Sequence, residues 1–227
     1  MSRSLHFKTN TLLKNLVGND LINDDNIAIV ELVKNSYDAR SEEILIQFEG
    51  FSQDGETNSK TSRIIIADKG SGMDEVDIED KWLNIAYSEK KVNPQVDGAF
   101  LAGNKGVGRF SCDRLGSILD MFTRSKEREL IHLRVNWIDF ELEGDKDLTI
   151  QKIPISFNIV SETNASAISG IQIPETGTVL VISKLRSLWD RKKLLTLKRS
   201  LEKFINPNQL FQHKQFKILL TANELIY

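Results

Sequence analysis

Residues 28–39 read AIVELVKNSYDA, a stretch that favours a helix with two different faces. Positions 31, 35 and 38 nearly superimpose on a helix, so Glu31, Asn35 and Asp38 are expected to project together. The polar residues 23–26 supply N-cap candidates and first-turn acids for the start of this helix. A second stripe is predicted to face the core, and it contains Ile27, Val30, Val33 and Tyr37.

The polar stripe is suited to metal and water chemistry. The amide oxygen of Asn35 is a hard, neutral ligand of the kind that Mg²⁺ accepts. Glu31, one turn earlier, is placed to orient and deprotonate a water molecule in line with a terminal phosphate. A solvated helix face would carry the same residues, so this pattern alone leaves both interpretations open.

A second motif follows a β-branched apolar run, in residues 64–73, IIIADKGSGM. An ionised carboxylate only accepts hydrogen bonds, so Asp68 is suited to the exocyclic amino group of adenine rather than to the carbonyl of guanine. Gly70 and Gly72 allow backbone to approach a ring closely, and Met73 offers a polarizable wall. A plain β-turn remains the alternative. A calcium loop does not fit, because a lysine and two glycines stand where oxygen ligands are required.

The third motif is the glycine-rich stretch 103–111, GNKGVGRFS, which precedes a helix-compatible run. Backbone N–H groups at the start of a helix bind anions, and Lys105 adds a positive charge. The spacing matches neither a Walker A loop nor the dinucleotide-binding fingerprint. Phosphate contacts are therefore expected from this loop, with a flexible loop as the alternative, and the candidate residues are Gly103, Lys105, Gly106, Val107 and Gly108.

Composition sets the broad class. The chain has 227 residues, of which 40% are hydrophobic and 27% charged, as expected for one large globular domain. Thirty basic and 32 acidic residues give a net charge of −2, so only a local patch would favour nucleic acid as a partner. Cys112 is the single cysteine, which excludes an intramolecular disulfide. No apolar run approaches the ~18 residues that a membrane span requires, so a cytoplasmic protein without a membrane partner is predicted.

The order of strand-like and helix-like segments predicts an α+β fold. A two-layer sandwich is expected, with one mixed, mainly antiparallel sheet and helices on one face. A polar loop is expected at 161–170. Helices are predicted near 23–40, 74–87, 108–115 and 190–205, and strands near 44–48, 63–67, 119–123, 129–140, 148–159, 177–184 and 216–221.

The three motifs, in this order, resemble the N, G1 and G2 boxes of the GHKL, or Bergerat-fold, ATPases. That superfamily includes gyrase B subunits, the ninety-kilodalton heat-shock chaperone, MutL, the Morc ATPases and histidine kinases. A fourth match is Gly177-Thr178, ahead of a strand-like run, and residues 82–90 resemble the entrance to the ATP lid. The resemblance covers about residues 5–220 and is closest to the chaperone, MutL and Morc branches.

The resemblance implies a role for each matched position. Glu31 would be the general base, Asn35 the magnesium ligand, and Asp38 a supporting residue. Asp68 would bind the adenine amino group, and Thr178 would close the adenine side through water. The base pocket would be shaped by Gly70, Gly72 and Met73, the lid would be residues 86–105, and the phosphates would be lined by Gly106, Val107 and Gly108.

The resemblance also implies an ATPase that uses ATP and Mg²⁺. ATP binding and slow hydrolysis would drive lid closure and homodimerisation through residues 1–20. The segment 1–227 would be a single domain at the N-terminus of a longer protein that acts on DNA or protein, and DNA handling, protein remodelling and prokaryotic defence are all compatible. Turnover is expected to be weak, because a cation from a following domain would be absent unless Lys90, Lys91 or Lys105 replaces it.

Two alternatives stay open beside hydrolysis. One is a non-catalytic interaction module that binds ATP as a structural ligand. The other, less favoured, is a histidine-kinase-like phosphotransferase, because no helix pair carrying a phosphoacceptor histidine precedes the ATP-binding motifs. A separate feature is the segment 184–203, with eight basic and two acidic residues, which fits either a DNA-contacting or interdomain face or a solvated helix face.

Overall fold

The computed structural model describes residues 2–6, 24–52, 55–58, 60–84, 95–96, 99–100, 110–140, 154–204 and 216–222. The helices are α1 (Asp25–Asp38), α2 (Glu75–Asp77), α3 (Ser111–Leu115), α4 (Glu162–Ser169) and α5 (Arg191–Phe204). The strands are β1 (Ser2–Leu5), β2 (Glu43–Glu49), β3 (Arg63–Asp68), β4 (Gln95–Val96), β5 (Ala99–Phe100), β6 (Gly116–Arg124), β7 (Ile131–Asn136), β8 (Ile155–Ile159), β9 (Gly177–Leu185) and β10 (Lys217–Thr221).

Eight strands form one sheet in the order β1-β8-β7-β6-β9-β3-β2-β10, and β4 pairs with β5 in a separate two-stranded sheet. Every neighbouring pair in the large sheet is antiparallel except β2 and β10, which are parallel. The α+β fold with a mixed, mainly antiparallel sheet is therefore confirmed.

The main core lies between the sheet and helices α1, α3 and α5. Side chains alternate across a strand, so Ile64 and Ile66 of β3 point into this core while Ile65 points to the other face. Leu194, Leu197 and Leu201 of α5 are buried in the same core. These three helices share one face of the sheet, as the sequence predicts for the two-layer sandwich.

A short helix also covers part of the opposite face, where a polar loop was expected. Helix α4 begins after Ser161, whose side chain accepts a hydrogen bond from the Asn164 N–H, and ends at Gly170, whose φ is +78°. Ala165 is buried against a second cluster that contains Ile65 and Phe122. The segment is polar on its outer side, but its caps and the buried alanine stabilise a helix.

Helix α1 confirms the predicted element and corrects its core stripe. Asp24 is the N-cap, and its side chain accepts hydrogen bonds from the N–H groups of Asn26 and Ile27. Ile27 is 49% exposed and Tyr37 is 36% exposed, so neither faces the core. The buried positions are Asp25, Ala28, Ile29, Leu32, Val33 and Ser36. The helix is thus rotated so that Ser36, a polar residue, points at the sheet.

Three further boundaries differ from expectation. The predicted helix at 74–87 is a short α2 followed by a π-helical turn, Ile78–Trp82. The predicted strand at 129–140 ends at Asn136, and a 3₁₀ turn follows. Of the predicted strand at 148–159, the described part is β8. None of the helices in the described ranges is long and apolar enough to cross a membrane.

Candidate nucleotide-binding site

Asp68, the last residue of β3, is the centre of the candidate site. It is only 8% exposed. Its Oδ1 accepts a hydrogen bond from the Gly70 N–H at 2.9 Å, and its Oδ2 accepts one from the Ser36 hydroxyl at 3.0 Å. The backbone of Thr178, which lies opposite Asp68 in the β3–β9 pairing, supplies another. An ionised carboxylate has about four acceptor positions, so three donors leave room for one more.

Burial raises the pKa of Asp68 above its ordinary value of 3.8. The hydrogen bonds from Gly70, Ser36 and Thr178 act in the opposite direction, but they do not outweigh the loss of solvation. A carboxylate in this state gains from one more donor, because each added hydrogen bond offsets part of its desolvation. The site is therefore prepared for a ligand that presents an N–H group.

The end of β3 and the start of β9 meet at Asp68 and Thr178, and we call this junction the corner. Thr123 links its two sides. Its hydroxyl, which belongs to β6, accepts a hydrogen bond from the Met73 N–H at 2.9 Å and donates one to the Gly177 carbonyl at 3.1 Å. It also lies 3.0 Å from the Thr178 hydroxyl. A hydroxyl has one proton, so the assignment that satisfies all three contacts has Thr178 donating to Thr123. The lone pairs of Thr178 then remain available as acceptors.

Glycines make the close approaches at this corner. A Cβ on Gly70 would lie 2.6 Å from the Ala39 carbonyl oxygen, and a Cβ on Gly72 would lie 2.0 Å from that of Arg124. Gly72 also has a φ of +63°, which strains residues that carry a Cβ. Gly177, at the head of β9, would clash with the Asp68 carbonyl oxygen at 2.1 Å. The backbone here comes as close together as glycine alone permits.

The polar stripe of α1 lies beside this corner. Glu31 is partly exposed, and its Oε1 accepts a hydrogen bond from the Lys34 ammonium at 2.6 Å. Asn35 is exposed, and its backbone carbonyl accepts one hydrogen bond from the Ala39 N–H at the end of the helix. Asp38, the last residue of α1, is half-buried. All three occupy the face predicted from their spacing.

The structure therefore brings together one half of the predicted site. Asp68, Gly70, Gly72, Met73 and Thr178 converge at the ends of β3 and β9. The predicted phosphate loop lies outside the described residues, and its candidate residues are Gly103, Lys105, Gly106, Val107 and Gly108. Most of the predicted lid and most of the predicted dimerisation segment also lie outside the described residues.

Two residues at the corner are absent from the sequence-based prediction. Ser36 belongs to the first motif, but the polar stripe expected there contains its neighbour Asn35 instead. Its placement was detectable in principle, because a serine between buried Leu32 and Val33 on one side and Ala39 on the other needs a partner in the core. Thr123 carries no motif of its own, and only the β6–β9 pairing places it beside Thr178.

A second polar cluster lies at the other end of α1. The buried carboxylate of Asp25 accepts hydrogen bonds from Arg114 at 2.8 Å, from Ser187 at 2.5 Å and from the Lys193 ammonium. Burial alone would raise the pKa of Asp25, but the hydrogen bonds from Lys193 and Ser187 and the charges of Lys193 and Arg114 lower it. This cluster ties α1 to α3, which carries Arg114, and to α5, which carries Lys193.

Comparison with known families identifies the class of protein. The sequence model of one family, the histidine kinase-, DNA gyrase B-, and HSP90-like ATPases, matches residues 23–167, which is more than half of the chain. The chain therefore belongs to this GHKL-type family, and membership supports ATP binding. Among curated proteins, none matches the chain significantly. Thr178 lies beyond the matched segment, and its place in the site comes from the pairing of β9 with β3.

Proposed function

We propose that this chain binds ATP with the adenine amino group donating to Asp68, and that it hydrolyses the nucleotide slowly. The observation that carries the proposal is the buried Asp68 carboxylate, with three donors already in place and one acceptor position left. Family membership supports the nucleotide as ATP. Thr178, whose lone pairs remain as acceptors, would bind a water molecule or a donor group on the adjacent edge of the ring.

The rest of the chemistry is assigned to the polar face of α1. The exposed amide oxygen of Asn35 is a fitting ligand for Mg²⁺, and Asp38 supports the same face. The metal ion would supply positive charge that offsets the charge developing on the phosphates. Glu31 would accept a proton from the attacking water as general base. Phosphate contacts are assigned to the loop 103–108.

ATP binding would act as a switch. Closure of residues 86–105 over the nucleotide and pairing of two copies through residues 1–20 would follow binding, and hydrolysis would reset the domain. In this proposal the chain is the N-terminal part of a larger cytoplasmic protein that acts on DNA or protein, with prokaryotic defence among the compatible settings.

One observation favours a second candidate, a nucleotide-binding module with negligible turnover. The proposed base, Glu31, is in an ion pair with Lys34 at 2.6 Å. A base in a tight ion pair has to leave its partner before it takes up a proton, which slows the chemical step. The two candidates share the ATP pocket and differ only in what Glu31 does.

Titration calorimetry with a non-hydrolysable ATP analogue tests the pocket. Asp68→Asn keeps the shape and replaces an acceptor with a donor, so affinity is expected to fall by about 2–3 kcal/mol, which is roughly 30- to 150-fold. The matched control is Asp120→Asn, since Asp120 is also a buried strand carboxylate but is paired with His132 and Arg134. Equal affinity of Asp68→Asn and Asp120→Asn would refute the adenine contact.

Turnover measurements separate the two candidates. Glu31→Gln is expected to bind ATP normally and to lose about 10²- to 10⁴-fold in turnover. Lys34→Gln breaks the same ion pair but keeps the carboxylate, so it is expected to retain turnover or increase it. The non-catalytic module would be favoured if the wild-type protein binds Mg-ATP without hydrolysing it. The same result for the Lys34→Gln variant would show that the ion pair is not the cause.

A further inference from the structure

The outer face of α5 carries a concentration of positive charge that the ATP site does not use. Residues 184–203 hold eight basic and two acidic residues, a net charge of +6 in a chain whose total is −2. Two of the eight cations are engaged inside the domain, because Lys193 pairs with Asp25 and Arg186 with Asp113.

Three of the remaining cations form a line along the helix. At 100° per residue, positions 192, 199 and 203 lie within about 40° of one another, on the side opposite the buried Leu194, Leu197 and Leu201. Lys192, Arg199 and Lys203 are all exposed. We call these three residues the basic stripe. Within the described part of the chain, no carboxylate lies within salt-bridge distance of them, whereas the neighbouring Lys198 pairs with Glu202.

Helix stability accounts for only part of this arrangement: Lys203 lies in the last turn, where a cation is favoured, and Asp190 accepts a hydrogen bond from the Lys193 N–H at the start of the helix. The first turn of α5 has three basic residues and no acidic one. Cations at a helix N-terminus interact unfavourably with the helix dipole, so Lys192 lies where a stabilising residue would be acidic. A charge arrangement that opposes the local preference of its element is expected where the charge serves binding.

We propose that the basic stripe binds the phosphate backbone of a nucleic acid duplex. The stripe spans about 16 Å along the helix axis, a length that corresponds to about five phosphates of one strand. The apolar face of α5 is already buried in the core, so it is not available to enter a lipid surface. Leu188 and Leu195 are exposed beside the stripe, at 57% and 44%, but neither is aromatic, and leucine is under-represented among the residues that dominate protein interfaces. The partner that matches these features is a polyanion that is recognised by its charge.

Of the three residues in the basic stripe, Arg199 and Lys203 are expected to attract an anion more strongly than Lys192. Lys192 lines an open cavity of about 310 Å³ together with Glu56 and Asp190, and these two carboxylates weaken its attraction for an anion. Three phosphate contacts predict a slope of about −2.7 for log K against log salt concentration. Affinity is therefore expected to fall about 40-fold between 50 and 200 mM salt, without dependence on base sequence.

Fluorescence anisotropy with the whole 227-residue chain and a labelled 20-base-pair DNA duplex tests the proposal, at 50, 100 and 200 mM salt. Arg199→Gln and Lys203→Gln are each expected to reduce the slope by about 0.9. Arg199→Lys retains the charge and is expected to keep the wild-type slope. The control is Lys126→Gln, which removes one charge from an exposed turn between β6 and β7 and is expected to leave binding unchanged. Circular dichroism melting verifies that each variant is folded.

Three results would overturn the proposal. The first is no binding of the wild type at 50 mM salt. The second is a loss of affinity in Arg199→Gln and Lys203→Gln that is no larger than in Lys126→Gln. The third is competition by polyglutamate as effective as that by unlabelled duplex, which would assign the basic stripe to an acidic protein instead. All three are independent of ATP binding, so the proposal stands or fails separately from the proposed function.

Discussion

Replacing Thr123 with valine tests how the candidate site is held together. Thr123 is 1% exposed, and its hydroxyl contacts the Met73 N–H, the Gly177 carbonyl and the Thr178 hydroxyl. Valine has nearly the same shape and no hydroxyl, so Thr123→Val removes the three hydrogen bonds while the packing is preserved. Thr123→Ser is the matched control, because it keeps the hydroxyl and removes only a methyl group.

The magnitude follows from which groups lose a partner. The Gly177 carbonyl lies in a buried residue, and leaving it unsatisfied costs about 1–3 kcal/mol. Met73 and Thr178 are half-buried, so water replaces part of their lost hydrogen bonds at about 0.5–1 kcal/mol each. The sum is about 3 kcal/mol, or about 6–12 °C in Tm for a chain of this size. The lost methyl group in Thr123→Ser costs about 1 kcal/mol, or about 2–4 °C.

Thermal unfolding and calorimetry with the ATP analogue give the two measurements. Thr123→Val is expected to weaken ATP binding about tenfold or more, because Thr178, the residue proposed to contact the adenine edge, loses its fixed orientation. Thr123→Ser is expected to bind within about twofold of the wild type. If the valine variant melts no lower than the serine variant and binds ATP equally well, the hydroxyl does not organise the site and the reasoning is wrong.

Three more predictions concern single residues. Gly72→Ala is expected to destabilise the fold by at least about 2 kcal/mol in urea unfolding, since its φ is +63° and its Cβ would meet the Arg124 carbonyl oxygen; a change below about 0.5 kcal/mol would contradict that contact. Asp25→Ala is expected to cost about 2–3 kcal/mol at pH 7, because it leaves Lys193 without its buried partner. The pKa of Asp25 is lowered, so this stabilisation is present above the ordinary carboxyl pKa and is lost as the pH falls through the folded-state value, which urea unfolding from pH 7 to pH 3 measures. The pKa of Asp68 is raised above 3.8 in the folded state. As the pH falls through the folded-state value towards 3.8, the wild type is therefore expected to gain stability relative to Asp68→Asn. Over the same pH range, calorimetry is expected to show that the wild type loses affinity for ATP.

Local patterns place several residues of the candidate site. Glu31, Asn35 and Asp38 share a helix face because their spacing is a property of the helix alone. Asp68 ends a strand because three isoleucines and an alanine precede it and two glycines follow within four residues. Family membership confirms the resemblance that these motifs carry. In each case the cause lies within about ten residues of the chain.

The remaining contacts depend on tertiary pairing. Thr123 and Thr178 are 55 positions apart, and they meet only because β6 pairs antiparallel with β9 in the observed register. The rotation of α1 is also a tertiary effect. The Ser36 hydroxyl donates to Asp68, and this buried hydrogen bond favours the orientation in which Ile27 and Tyr37 are exposed. Ala28, Ile29, Leu32 and Val33 are buried on the same side, so apolar burial and this hydrogen bond favour one orientation.

The register of β9 shows how a residue without a side chain determines the site. Val179 and Val181 are buried on one face of β9, and Leu180 and Ile182 pack on the other, so a one-residue slip would still place apolar side chains on both faces. Hydrophobic patterning therefore does not fix this strand. Gly177 does, because its backbone passes so close to Asp68 that a Cβ would lie 2.1 Å from the carbonyl oxygen. A slipped register would bring a β-branched residue to that position. The glycine thus selects the pairing in which Thr178 lies opposite Asp68 and beside Thr123, and the proposed contact with adenine depends on that pairing.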